Sequence, residues 1–562
     1  MRPWRLTALL LLVACFVLVA VPSIRRMIAT SVTSGPPVRL LQTDCEAVAL
    51  AHPDDAEIWL GYAEIAEFAE HIPNAQLYGP PAKTTAGDAF AKAAALAPTS
   101  VPIRFRYATY LLSKAGGIDR PEEEPSASAL LPPKPRSPEQ TANLRAAQDL
   151  LLALYRDAPD NAACDYSLIW TYFAQNRDAD ALGLAKSAIS KPDWTLYEPE
   201  VAAARSRLCD SLSASQATLA YYLSGDLTLL GRIRSTARML ANIGDRFRDA
   251  GDHANAVACY ESTVRLGHLM RVDAYSILDG LTGIAVTRMV ASHFLSAIDE
   301  RAAEAIADKT ARTKRMDEAR VVGLCAYLRE HGRPDVAAFY ERDSAEAAAW
   351  RDASAAVPNI MVKALVDASV GPAIASGCAV WLLTATFLAL AVILGLTTLA
   401  TRPWRRPVTG LDWTYRDWLS LLIWAALPGA LVGVFFDIRP QPMSYWWTAA
   451  VWAIPIACGI GFIVWLIRVG RGVRRLRAAM PPEDRPGKAR CFFASLRFLT
   501  PPTLAALFLA SVILLWPLSG AEKRENALTH AVTAKGEAAY WGINERAREV
   551  ANQKPTPPGQ AK

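Results

Sequence analysis

Apolar residues along this chain fall into two regimes. Between residues 45 and 350, Leu, Ala and aromatic side chains recur at helical spacing, interrupted by short polar turns, with no sustained period-two alternation. That pattern predicts helix after helix. From residue 373 the apolar positions merge into four uninterrupted segments, 373–399, 418–436, 446–467 and 499–518, none containing Asp, Glu, Lys, Arg or His. Each is long enough to cross about 30 Å of hydrocarbon as a helix. A further run, Leu6–Val21, follows Arg2 and Arg5. It is short for a span, so residues 1–22 read as a signal anchor or a signal peptide. Leu12-Val13-Ala14-Cys15 resembles an acylation signal, but the apolar run continues past the cysteine.

The loops between the segments set an orientation. Residues 402–417 hold Arg402, Arg405, Arg406 and Arg416, and the connection Arg468–Arg497 holds nine basic residues. The intervening connection, Asp437–Tyr445, holds only Arg439. The positive-inside bias puts the two basic loops in the cytoplasm and residues 23–372, with the tail 519–562, outside it. Net charge is +6, but residues 23–372 carry 37 Lys and Arg against 44 Asp and Glu. The basic excess thus belongs to the membrane-flanking part. It points to anionic lipid headgroups near Arg468–Arg497, or simply to orientation, and not to nucleic acid.

Within 45–350 the residues resemble the tetratricopeptide repeat (TPR), a helix pair of about 34 residues with large and small side chains at fixed places. Leu240, Ile243, Gly244 and Phe247, then Gly251 at a turn, then Ala256 and Tyr260 make the best match, with Thr263 where the family usually has Ala. Gly244 and Ala256 are small where the two helices cross, and Tyr260 fills the adjacent gap. Other units use Trp59, Tyr62 and Ala63 with Ala86, Phe90, Ala93 and Pro98; Tyr107, Ala108 and Leu111 with Ala147, Leu151, Leu154 and Pro159; Leu168, Tyr172, Ala181, Ala185 and Ala188; and Leu324, Cys325, Leu328, Gly332 and Ala337. Residues 196–235 and 270–315 are expected to be further helices of the same solenoid. A Pro-rich insertion, 116–138, reads as a solvated loop or a docking strand.

Candidate chemistry is sparse. The chain has no GxSxG, GxxxxGK[ST], HExxH or GxGxxG, which favours a non-enzyme. The seven histidines are isolated in sequence, and the nine cysteines are scattered without CxxC spacing. Asp178 and Asp180 form an Asp-x-Asp pair, which suits a helix turn better than a metal site. No catalytic, metal or cofactor residue is assigned, and no cofactor is expected. Gly429 and Gly433 could pack another span, within this chain or on a partner. Tyr166, Trp170 and Phe173 form one stripe of a helix. In the repeat register that stripe faces the concave groove, where it either captures a partner or is covered by a neighbouring helix.

The expected fold is therefore all-α: a TPR-like α-solenoid outside the cytoplasm plus a C-terminal transmembrane helical bundle. The resemblance implies binding of proteins or peptides, and the apolar spans make the expected protein a membrane-anchored scaffold; the N-terminal signal-anchor chemistry and the absence of cytoplasmic domains suit a bacterial inner membrane. The alternative is a subunit, catalytic or not, of an envelope polysaccharide or lipid export or synthesis system.

Overall fold

A computed structural model describes residues 38–71, 81–118, 135–210, 227–368 and 536–553, with scattered positions within 467–488 and 527–535. The four apolar segments, apart from Ile467, and residues 1–22 lie outside the described residues. Among the described residues no helix is long and apolar enough to cross a membrane. The described chain is all-α: no strand forms, and its sole extended pairing is an isolated bridge between Asn161 and Asp193.

Seven helices open the domain: α1 (Val38–Ala51), α2 (Ala56–His71), α3 (Ala86–Leu96), α4 (Val101–Lys114), α5 (Pro138–Asp157), α6 (Ala162–Ala174) and α7 (Asp178–Ala188). From α2 onward each packs on the next, making three antiparallel hairpins, α2/α3, α4/α5 and α6/α7. Their starts are written locally. Asp55 accepts backbone N–H bonds from Glu57 and Ile58, and Thr85 caps α3 through the Asp88 N–H. Ser137 and Gln140 close a reciprocal capping box on α5, with Pro138 in its first turn, where a missing N–H costs nothing. Helix α5 thus begins at the last proline of the predicted insertion; residues 119–134 of that insertion lie outside the described residues. Asp178 and Asp180 sit in the first turn of α7, a favourable place for acidic groups.

The later helices are α8 (Glu198–Asp210), α9 (Leu227–Asp249), α10 (His253–Val272), α11 (Ile277–Ser292), α12 (Ala297–Glu304), α13 (Lys309–Glu330) and α14 (Pro334–Ala368). Hairpin α9/α10 stacks on α6/α7, and α13/α14 closes the series. Three hairpin turns share one geometry. Asn176, Gly251 and Gly332 adopt φ of 59°, 80° and 75°. In each turn the next residue's N–H reaches back to the helix end, from Arg177 to Tyr172 O (2.9 Å), Asp252 to Phe247 O (2.8 Å) and Arg333 to Leu328 O (2.8 Å). This is the Schellman closure, which a left-handed residue permits. Counted from these turns, Leu168, Ile243 and Leu324 are equivalent, as are Ala181, Ala256 and Ala337, and all six are buried. A Cβ on Gly244 would come within 2.6 Å of the Tyr260 ring, so the small-against-large contact expected there is present.

Two helices depart from a simple stack. Helix α8 turns back and lies on α2 and α1 instead of extending the series. A Cβ at Gly61 would stand 2.6 Å from Ala204 O, so the α2 and α8 backbones nearly touch. Helix α11 is wedged between neighbours through glycines. A Cβ on Gly283 would meet Gly267 O of α10 at 2.5 Å, and one on Gly280 would meet the Trp350 indole of α14 at 2.2 Å.

The C-terminal helices α15 (Glu537–Tyr540) and α16 (Ile543–Gln553) return to this end of the domain. Glu537 caps α11 by accepting the Ile277 N–H at 3.0 Å, and the Ala538 N–H donates to Tyr275 O at 3.0 Å. The Trp350 indole N–H donates to Asn544 Oδ1 at 2.8 Å. Ala538, Ile543 and Ala547 bury against Trp350, Ala353 and Val357.

The glycine contacts give paired expectations. Gly283→Val should lower stability by about 1–3 kcal/mol through overpacking. Gly183→Ala, where a Cβ meets nothing within 4 Å, should raise it by about 0.5–1 kcal/mol through helix propensity. Thermal melts of the full chain followed by circular dichroism would check both signs.

Candidate functional site

In the register that the repeat resemblance implies, the α6 stripe of Tyr166, Trp170 and Phe173 faces a concave groove. Tyr166, Trp170 and Phe173 do not line an open groove there. All three are buried, at 1%, 1% and 0% exposure, so the stripe is covered by neighbouring elements of this chain. The covering element is the start of α9: the Arg232 guanidinium lies 5.8 Å from the Trp170 ring centroid and donates to Thr109 O, and Leu229, Leu230 and Ile233 join the same core. The Tyr166 hydroxyl donates to Ser262 O of α10 at 2.7 Å. Three large rings on one stripe suit a helix-to-helix core as well as an exposed site, and the residues that cover them lie far off in sequence.

The inner side of α2 is acidic and is filled by α8. Glu64 is buried and receives a bidentate pair from Arg106 of α4, at 2.7 and 2.8 Å. Arg205 of α8 approaches the same carboxylate at 4.0 Å. At the rim, Arg207 of α8 pairs with Asp55 and Glu57, each at 2.6 Å. Tyr197, just before α8, packs its ring on Phe105 at 5.3 Å and accepts a hydrogen bond from Asn161 at 3.2 Å. Asn161 is itself the buried N-cap of α6, so one side chain ties the α6 start to the entry of α8.

A second charged position breaks the repeat rule. Asp165 occupies the place held by Leu240 and Val321 in the other units, and it is fully buried. Lys191 Nζ lies 3.3 Å away and also contacts Pro159 O and the Tyr155 ring. Burial pushes the Asp165 carboxyl up to about 6, with Lys191 pulling in the opposite sense. Burial also raises the neighbouring Cys164 thiol to about 12, so it stays protonated and unreactive. Cys45, Cys164, Cys259 and Cys325 are all buried thiols outside any disulfide.

Histidines that are isolated in sequence meet in space. His253 and His331, from turns of successive hairpins, have ring centroids 3.9 Å apart, and His253 Nδ1 lies 3.0 Å from the Tyr327 hydroxyl. Beside them Asp245 accepts from the Tyr260 hydroxyl at 2.6 Å and contacts His293 Nδ1. Burial of Asp245 would raise its pKa, but these hydrogen bonds and Arg248 hold it below the usual carboxylate range. The signal for this cluster was that His253 and His331 both lie at hairpin turns, on opposite sides of the turn glycine, and their meeting is visible only once the units are stacked. A third network joins Asp343 of α14 to Arg271 and His268 of α10, both at 2.6 Å. Among the described residues no group of three or more His, Cys, Asp or Glu is arranged to hold a metal ion.

No protein-family model, no curated protein and no solved structure matches the chain.

Asp165 gives a pH test. Its folded-state pKa lies above the unfolded value, so the native state binds the proton more tightly. The associated stability is present below about pH 4 and is lost as pH rises through about 6, with a slope of at most about 1.4 kcal/mol per pH unit. Asp165→Asn should flatten that part of the stability–pH curve. An unchanged curve in urea titrations from pH 4 to 7 would show that Asp165 does not titrate there.

Proposed function

We propose that the chain is a membrane-anchored scaffold whose TPR-like solenoid lies outside the cytoplasm and binds proteins or peptides. The hairpin series with its common turn geometry supports the repeat reading, since a helix pair cannot bury its apolar faces alone and stacks into an extended surface. The observation that carries the membrane reading is the return of the tail. Residues 334–368 and 537–553 pack on each other, so the chain leaves and rejoins one domain on one side. Any membrane crossed between them must be crossed an even number of times. The four uncharged segments supply an even number, and their basic loops orient the domain outward. Binding to other proteins follows from the architecture: among the described residues the polar clusters are small, internally paired and without metal geometry, which suits contact better than catalysis.

Cysteine accessibility tests the topology. In spheroplasts, Ile298→Cys, at a position 80% exposed, should label with a membrane-impermeant maleimide above the wild-type background. Lys488→Cys should label only after permeabilisation. The opposite pattern, or labels at Ile298→Cys and Gln553→Cys on different sides, would remove the basis of the proposal.

A further inference from the structure

Helix α8 relates to α2 as a helical ligand relates to its groove. It does not continue the hairpin series, and it lies across the first unit with its small face, Ala202 and Ala204, buried. The close approach of Ala204 O to Gly61 leaves no room for a side chain on the α2 side. Apolar anchors Val201 and Leu208 are also buried. Two arginines of α8 reach acidic groups of the first unit: Arg205 approaches the buried Glu64, and Arg207 pairs with Asp55 and Glu57 at the rim. This is helix-in-groove recognition, with main anchors on one face and charge at the rim.

We propose that α8 is an exchangeable internal occupant of the α2 groove, displaced by a partner helix of the same chemistry: alanine-faced, with apolar anchors and paired arginines. Three features fit exchange better than permanent packing. Glu64 is already neutralised by the bidentate Arg106 of α4, so withdrawal of α8 leaves no uncompensated buried carboxylate there, whereas stranding such a charge would oppose opening. Arg207 is 53% exposed in both of its rim pairs, so these pairs are readily exchanged. Tyr197, the residue that leads into α8, is held at φ 60°, a left-handed conformation that a bulky L-residue adopts only under constraint. Release of α8 relieves it. The proposal rests on the reading of the helical domain as a protein-binding scaffold and is independent of its membrane topology.

Two measurements on the purified full chain test it. In hydrogen exchange of the wild type, α8 amides should exchange at least about 100-fold faster than those of α2 and α4, reporting local opening. Exchange of α8 together with α2 as one unit would overturn the proposal. In the second, a fluorescein-labelled peptide of the α8 sequence, Glu198–Asp210, is titrated into wild type and into Val201→Asp/Leu208→Asp. The variant should bind at least about tenfold more tightly than the wild type, and a peptide carrying Arg205→Glu and Arg207→Glu should lose at least tenfold. Absence of binding to a folded variant, equal binding to wild type and variant, or indifference to the arginines would each sink it. If the variant does not fold, α8 belongs to the core and the proposal is likewise lost. Failure of the peptide with a correct cysteine-labelling pattern would remove the groove and leave the anchored scaffold standing.

Discussion

A helical hairpin carries more apolar surface than its two helices can hide from water, and every hairpin in this domain is finished by its neighbours. The contact that makes this possible is the close approach of a neighbouring helix, by its backbone or by a large ring, to a helical glycine. At Gly61, Gly244, Gly267, Gly280 and Gly283 the neighbouring element occupies the space where a Cβ would sit. Such contacts trade helix propensity, about 1 kcal/mol per glycine, for dense packing across the interface. They recur from α2/α8 at one end to α11/α14 at the other. The buried apolar side chains gather in three clusters along the stack, and no hairpin stands alone.

What could be read from sequence was the part set by neighbours in sequence. The turn glycines Gly251 and Gly332, the Gly244–Tyr260 contact and the α9/α10 and α13/α14 hairpins all follow from spacing and local sterics. The return of α8 onto α2 does not, because nothing local distinguishes a helix that extends a stack from one that folds back over it. The same holds for Tyr166, Trp170 and Phe173. An aromatic stripe predicts a face that wants cover, and only tertiary structure says whether α9 or a partner provides it. His253 and His331 meet through stacking of turns that lie on separate hairpins, a relation that no linear motif encodes. Asp178 and Asp180 show the converse: their helix-start position was set locally and explains them fully.

Buried charge marks where the stack is specified rather than merely filled. Glu64–Arg106, Asp343–Arg271 with His268, and Asp165–Lys191 each join two elements that are not consecutive turns of one helix. Desolvation cancels much of the attraction in such pairs, while stranding one member costs several kcal/mol. Their energetic effect is therefore mainly to penalise the wrong neighbour. A slip of α10 along α14 would leave Asp343 buried without Arg271. Asp165 is the costliest of these positions, since its equivalents Leu240 and Val321 are apolar, and Lys191 holds it from beyond the end of α7.

The docked tail constrains the remainder of the chain more than any feature of the hairpins. Glu537 supplies a carboxylate to the N-terminus of α11, where the helix dipole and free N–H groups favour it. Trp350 contributes both an apolar face to Gly280 and an indole N–H to Asn544. One side chain thus couples the wedge helix, the last long helix and the tail, and loss of any of the three exposes the other two. Because α14 runs to Ala368 and the tail is back by Gly536, the intervening residues form a closed excursion from a fixed base. Under the proposed anchoring, two attachments to one packed surface would restrict the tilt of the domain relative to the bilayer more than a single terminal attachment would.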